Sequence, residues 1–127
     1  MKTLHTDKAP QAVGPYSQAV EAQGFVFVSG QIALDPQTNT FDEKQSIEQQ
    51  TKQVLENIRA IIENSGCSVC HIVKVEIFVT DISAFKKVNE VYAEFFGEHK
   101  PARQTVEVSA LPLGAQIEMS CIAAKDL

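Results

Sequence analysis

Ile72-Val73-Lys74-Val75-Glu76-Ile77-Phe78-Val79 is the stretch on which the fold turns. Val73, Val75, Ile77 and Val79 alternate with Lys74 and Glu76, the period of two that a half-buried strand requires. On either side of it the period changes to that of a helix. Upstream, Ile47, Val54, Leu55, Ile58, Ile61 and Ile62 share one face of a helix. Ser46 is placed to cap its first turn with Gln49 reaching back, and Gly66 is placed to end it in a left-handed turn. Downstream, Asp81 or Ser83 caps a second helix whose buried stripe is Phe85, Val88, Tyr92, Phe95 and Phe96, with Gly97 as its stop.

Farther out the signals return to strands. Ser17 to Ala22 and Phe25 to Ile32 are separated by Gly24 and predict a hairpin. Asp35-Pro36-Gln37-Thr38-Asn39 is a loop in which Asn39 suits a left-handed conformation. At the other end, Gln104 to Val108 and Gln116 to Ala123 flank the turn Leu111-Pro112-Leu113-Gly114. The resulting order β-β-α-β-α-β-β predicts an α+β fold, a mixed sheet with two helices packed on one face. Two helices cover one face only. The other keeps apolar side chains from several strands, so a homo-oligomer is expected.

The chain has 127 residues, a length for one domain spanning 1–127 with a core of its own. Hydrophobic residues make up 44% and charged residues 21%, an ordinary globular composition. The net charge of −5, with Lys86-Lys87 the only adjacent basic pair, argues against phosphate-backbone recognition, so no nucleic acid is expected as a partner. The first residues lack an apolar signal stretch and no run approaches a membrane span. With an odd number of cysteines, three, this points to a reducing, cytoplasmic setting and no membrane partner.

Cys67-Ser68-Val69-Cys70-His71 matches a haem-attachment spacing in form. It follows a helix C-terminus, however, where the dipole disfavours a thiolate, and a fourth zinc ligand is not evident nearby; the expectation is an ordinary turn. No nucleophile elbow and no phosphate loop is present. What remains is Arg103, fixed behind Pro101, and Glu118, embedded in an apolar strand. A guanidinium forks onto a carboxylate with charge-assisted bonds, so Arg103 is either a ligand clamp or the partner of Glu118 or Glu107 in an internal ion pair. Tyr16, after Gly14-Pro15, is either a packed ring or a hydroxyl facing a substrate.

Taken in order, Gly14-Pro15-Tyr16-Ser17-Gln18-Ala19, Val28-Ser29-Gly30-Gln31, Pro101-Ala102-Arg103-Gln104-Thr105-Val106-Glu107-Val108, Leu111-Pro112 and Ile117-Glu118 resemble the RidA branch of the YjgF/YER057c/UK114 family, from Thr6 to Ala123. The resemblance implies a chorismate-mutase-like fold and a homotrimer with a barrel-like core and clefts between subunits. It also implies an enamine/imine deaminase that turns 2-aminoacrylate and 2-aminocrotonate, with their imine tautomers, into 2-keto acids and ammonia. Pyridoxal-phosphate-dependent dehydratases would supply them, and neither cofactor nor metal would be needed.

By the same resemblance Arg103 clamps the substrate carboxylate, Glu118 places the water and Tyr16 lines the pocket. Gly30 and the carbonyl of Thr105 contact the substrate; many relatives carry cysteine at the latter position. Asn89 fits the family pattern in a structural role. Two other readings are a regulatory binder of small carboxylates and an RNA-cleaving translation inhibitor.

Overall fold

The structure is a computed structural model describing residues 1–127. Its centre is α1 (Ile47–Asn64), and the reason it starts where it does is local. The Ser46 hydroxyl accepts from the Gln49 amide at 3.1 Å while the Gln49 side chain accepts from the Ser46 amide at 2.9 Å, the reciprocal cap expected. Gly66, at φ 90°, takes the chain out of the helix. One face of α1 (Val54, Leu55, Ile58, Ile61, Ile62) is fully buried in a single core cluster.

That core lies between the helices and a six-stranded sheet: β1 (Lys2–Leu4), β2 (Ala19–Ala22), β3 (Phe25–Gln31), β6 (Ile72–Val79), β7 (Ala102–Glu107) and β8 (Ile117–Ala124), in the order β1-β2-β3-β8-β6-β7. β6 and β7 are parallel because α2 (Phe85–Phe96) forms the crossover between them; all other pairs are antiparallel. The mixed sheet with both helices on one face is therefore as the patterns predict. Two short strands, β4 (Leu34–Asp35) and β5 (Thr40–Phe41), pair around the loop that holds Asn39 at φ 57°.

Several details differ from the sequence reading, each for a tertiary reason. β1 has no alternation of its own and exists because β2 offers it an edge. In β6 the buried residues are Ile72, Val75, Ile77 and Val79; a bulge between Ile72 and Lys74 against β8 puts Ile72, not Val73, in the core. Asp81 caps a one-turn 3-10 segment (Ile82–Ala84) by accepting from the Ser83 amide, and α2 follows without a side-chain cap. The buried stripe of α2 is Val88, Tyr92 and Phe96, while Phe85 is exposed and Phe95 half-buried. Leu111-Pro112-Leu113-Gly114 forms a tight turn between β7 and β8, with Leu113 and Gly114 both at positive φ.

Away from the helices the sheet is bare. Phe25, Phe27 and Val106 are each about 40% exposed there. Phe27 neighbours Ile122, and Val106 neighbours Phe78, so the apolar side chains run across four strands. No helix is long and apolar enough to cross a membrane.

Candidate active site

The site is best built from Gly30. Between Val28 and Gln31 the pairing of β3 with β8 slips by one residue, a bulge that opens the ladder at Ser29-Gly30. Glu118, on the bare face of β8, leans into this opening. A Cβ at Gly30 would stand 2.7 Å from Glu118 Oε2 and 2.9 Å from its Cδ, so only glycine lets the carboxylate lie there. Glu118 is partly buried, has no ion pair and no side-chain hydrogen bond, and burial raises its pKa above the ordinary glutamate value.

Tyr16 completes this wall. Its amide donates to the Gly14 carbonyl at 2.8 Å, and a Cβ at Gly14 would lie 2.9 Å from its ring, so Gly14 gives the ring room to fold back. Tyr16, Gly30 and Glu118 line one hollow of about 580 Å³ with Val13, Leu34 and Leu113. Sequence reasoning missed what holds its walls. Gln18, buried in the Gly14–Ala19 motif, accepts from the Thr6 amide and donates to the carbonyls of Thr6 and Pro10, tying down the first loop. From α1, the buried Asn57 amide donates to the Ile32 and Leu34 carbonyls. A carboxamide among the buried Val54, Leu55, Ile58 and Ile61 is the signal that could have found it.

Arg103 is elsewhere in the chain. It is on β7 level with Val75, whereas Glu118 is level with Phe78, and the side chains project to opposite faces of the sheet. The separation is about 10 Å along the strands and about 10 Å across them. No Arg103–Glu118 pair exists within one chain. Glu107 is also occupied, accepting from the Ile82 amide at 2.9 Å. Arg103 instead donates from Nη2 to the Asn89 Oδ1 at 2.5 Å and stacks its guanidinium 4.6 Å from the Tyr92 ring centre and 5.4 Å from that of Phe85. Asn89 is thus the residue that aims Arg103, and Tyr92 supports it from below. The three ion pairs of the chain are His5–Asp7, Arg59–Glu56 and Lys125–Glu21; Arg103 has none. Beside it opens a hollow of about 270 Å³ lined by Lys100 and His99 and by no acidic residue.

Thr105 follows on the same side of β7. Val108 donates to Val79, so by strand alternation the main-chain groups of Arg103, Thr105 and Glu107 point away from β6, to the open edge of the sheet. The carbonyl of Thr105 is therefore available to a donor arriving at that edge. Its hydroxyl is buried without a partner. Within the chain, then, the predicted residues fall into two separate groups: Tyr16, Gly30 and Glu118 in one, Arg103 and Thr105 in the other.

Other features fall short of a site. Cys67 is buried and Cys70 exposed, both free, and the His71 ring accepts from the Ser68 amide. Burial pushes the Cys121 thiol up to about 12, which leaves it inert. In the groove between α1 and α2, Arg59 is stacked on Phe95 and paired with Glu56. No three His, Cys, Asp or Glu side chains gather as metal ligands would.

The geometry can be set beside known proteins. Residues 6–125 match the family model described as Endoribonuclease L-PSP. A RutC family protein of Pyrococcus abyssi is 50% identical over 98% of both chains. Reactive Intermediate Deaminase A, chloroplastic, of Arabidopsis thaliana is 48% identical over 96% of this chain and 65% of its own length. Among solved structures, E. coli TdcF with bound serine superposes with a TM-score of 0.92 at 40% identity, over 98% of each chain.

Proposed function

Since the chain belongs to the L-PSP family, in its RidA branch, we propose that it is an enamine/imine deaminase, hydrolysing 2-iminopropanoate and 2-iminobutanoate, the tautomers of 2-aminoacrylate and 2-aminocrotonate, to 2-keto acids and ammonia. One observation carries the reading: Arg103 is a positioned guanidinium with no carboxylate of its own. Holding a cation oriented and unpaired disfavours the isolated chain unless an acid arrives to use it.

The two groups are complementary in charge and lie at different places on the chain, so the reading takes them as half-sites and puts the substrate between subunits. The bare apolar sheet face supports association, and a homotrimer with the sheets inside is the assembly proposed. There Arg103 and the Thr105 carbonyl of one subunit meet Tyr16, Gly30 and Glu118 of the next. Free cysteines support a reducing, cytoplasmic setting.

The chemistry follows from these groups. Tautomerisation moves a proton from the enamine nitrogen to its β-carbon and gives the imine, whose C=N carbon is electrophilic. Arg103 fixes the carboxylate and the Thr105 carbonyl accepts from the substrate nitrogen. Glu118 takes a proton from water as its oxygen bonds to the carbon and passes that proton to the nitrogen, which becomes an amine. The carbinolamine then loses ammonia: the hydroxyl proton passes through Glu118 to the nitrogen, the C–N bond breaks with its electron pair going to nitrogen, and the carbonyl forms. A raised Glu118 pKa brings this base nearer the pH at which it must both take and give the proton.

The test is a serine or threonine dehydratase assay read by keto-acid release. The wild-type protein should accelerate release, and Arg103→Lys should lose at least a hundredfold, because an ammonium cannot make the two-bonded fork. Near-normal turnover in that variant would refute the role of Arg103. A wild-type protein that binds keto acids but accelerates nothing would leave the regulatory binder as the better description.

A further inference from the structure

Ten large apolar side chains are exposed, and their placement is uneven. Met1 and Leu127 are termini; Phe25, Phe27 and Val106 belong to the bare sheet face, and Ile82 and Phe85 lie at the start of α2. The remaining three, Val13, Tyr16 and Leu113, all line the Glu118 hollow. Val13 is 74% exposed on the first loop and Leu113 66% exposed on the β7–β8 turn, so the mouth is apolar from two separate segments. Leu113 is also at φ 58° and ψ 19°, a left-handed conformation that asparagine or glycine adopts at lower cost than leucine. The turn around it is fixed: Gly114 donates to the Leu111 carbonyl and Ala115 to that of Pro112. A leucine held there against its backbone preference, with its side chain over a hollow instead of in the core, is placed for contact with something that enters.

We infer that Val13 and Leu113 form a subsite for the side chain of the imino acid, and that Leu113 is a specificity-determining residue favouring long apolar side chains over a methyl group. The inference rests on the deaminase reading above. With the carboxylate drawn to Arg103 and the reacting carbon held at Glu118, the third substituent is the one left to occupy the hollow. A methyl group reaches little of its apolar mouth. A four-carbon branched or thioether chain covers it, and burying each added methylene there favours binding severalfold.

An amino-acid oxidase supplies both imines in one format, 2-iminopropanoate from alanine and the longer imine from leucine. Keto-acid release above the spontaneous rate gives kcat/KM for each. Leu113→Asn relaxes the left-handed turn, so its thermal midpoint should equal or exceed that of the parent. It should lower the ratio of the long-chain to the short-chain kcat/KM about tenfold. Leu113→Met, which keeps an apolar side chain, should retain the ratio. An unchanged ratio in Leu113→Asn, or a parallel fall for both imines, overturns the subsite while leaving the deaminase reading standing. A parent protein that hydrolyses neither imine removes both.

Discussion

At the scale of single residues, the informative contrast is between Arg103 and Glu118, two charges held in half-sheltered places with no opposite charge beside them. For Arg103 the cost of shelter is offset by Asn89 and the Tyr92 ring. For Glu118 nothing offsets it, and the folded state holds its proton more tightly than the unfolded chain does. Between the usual glutamate value and the raised one, the unfolded chain therefore binds fewer protons, so stability falls as pH rises through that window and stays lower above it. Glu118→Gln should show a higher thermal midpoint than the parent at neutral pH, and the gap should close below the usual glutamate value. In the same variant kcat/KM should drop at least a hundredfold and lose the acid limb that the parent shows above the ordinary carboxylate range. A lower midpoint at neutral pH would mean that Glu118 makes a stabilising contact and is no free base.

At the scale of elements, the bulge in β3 does the positioning, and a methyl group tests it. Gly30 has an ordinary negative φ, so Gly30→Ala adds no backbone strain; it adds only a collision with the Glu118 carboxylate. Crowding of this kind costs about 1–3 kcal/mol when the neighbours cannot move, and less when a side chain swings aside. The expected result is a modest loss of stability with a disproportionate loss of kcat, as Glu118 is pushed from its place. Full activity in Gly30→Ala would show that the carboxylate need not lie where it does. The elements themselves were legible to different degrees. The α1 cap is local chemistry among four residues, so Ser46 and Gln49 announce it. The bulge in β6 is set by its partners Ile122 and Ala123 in β8, far along the chain, and the bare sequence of Ile72–Lys74 carries no trace of it. The same holds for Arg103. Its choice of Asn89 over Glu107 or Glu118 depends on where α2 packs and on the parallel register of β7, both tertiary facts.

At the scale of the molecule, the decisive fact is that a guanidinium and a carboxylate proposed to act on one substrate are on opposite faces of the same sheet. Either they never cooperate, or they do so across a subunit boundary. The net charge of −5 disfavours RNA as the occupant of such a boundary, and the Glu118 hollow offers it no basic side chain; Arg103 and Lys100 beside the other hollow are two cations, not a stripe. Mixed assemblies separate the remaining possibilities. Arg103→Lys and Glu118→Gln subunits, each inactive alone, would be unfolded together and refolded into shared oligomers. If each site draws Arg103 from one subunit and Glu118 from its neighbour, random mixing rebuilds both groups in about a quarter of the sites. Activity should return to about that fraction of the parent's, with the mixture running at the same oligomeric mass. If both groups act within one chain, every site in the mixture stays defective and no activity returns. Recovery would therefore place the reaction at the boundary, where the bare sheet face and the open edge of β7 each gain a partner that the isolated subunit lacks.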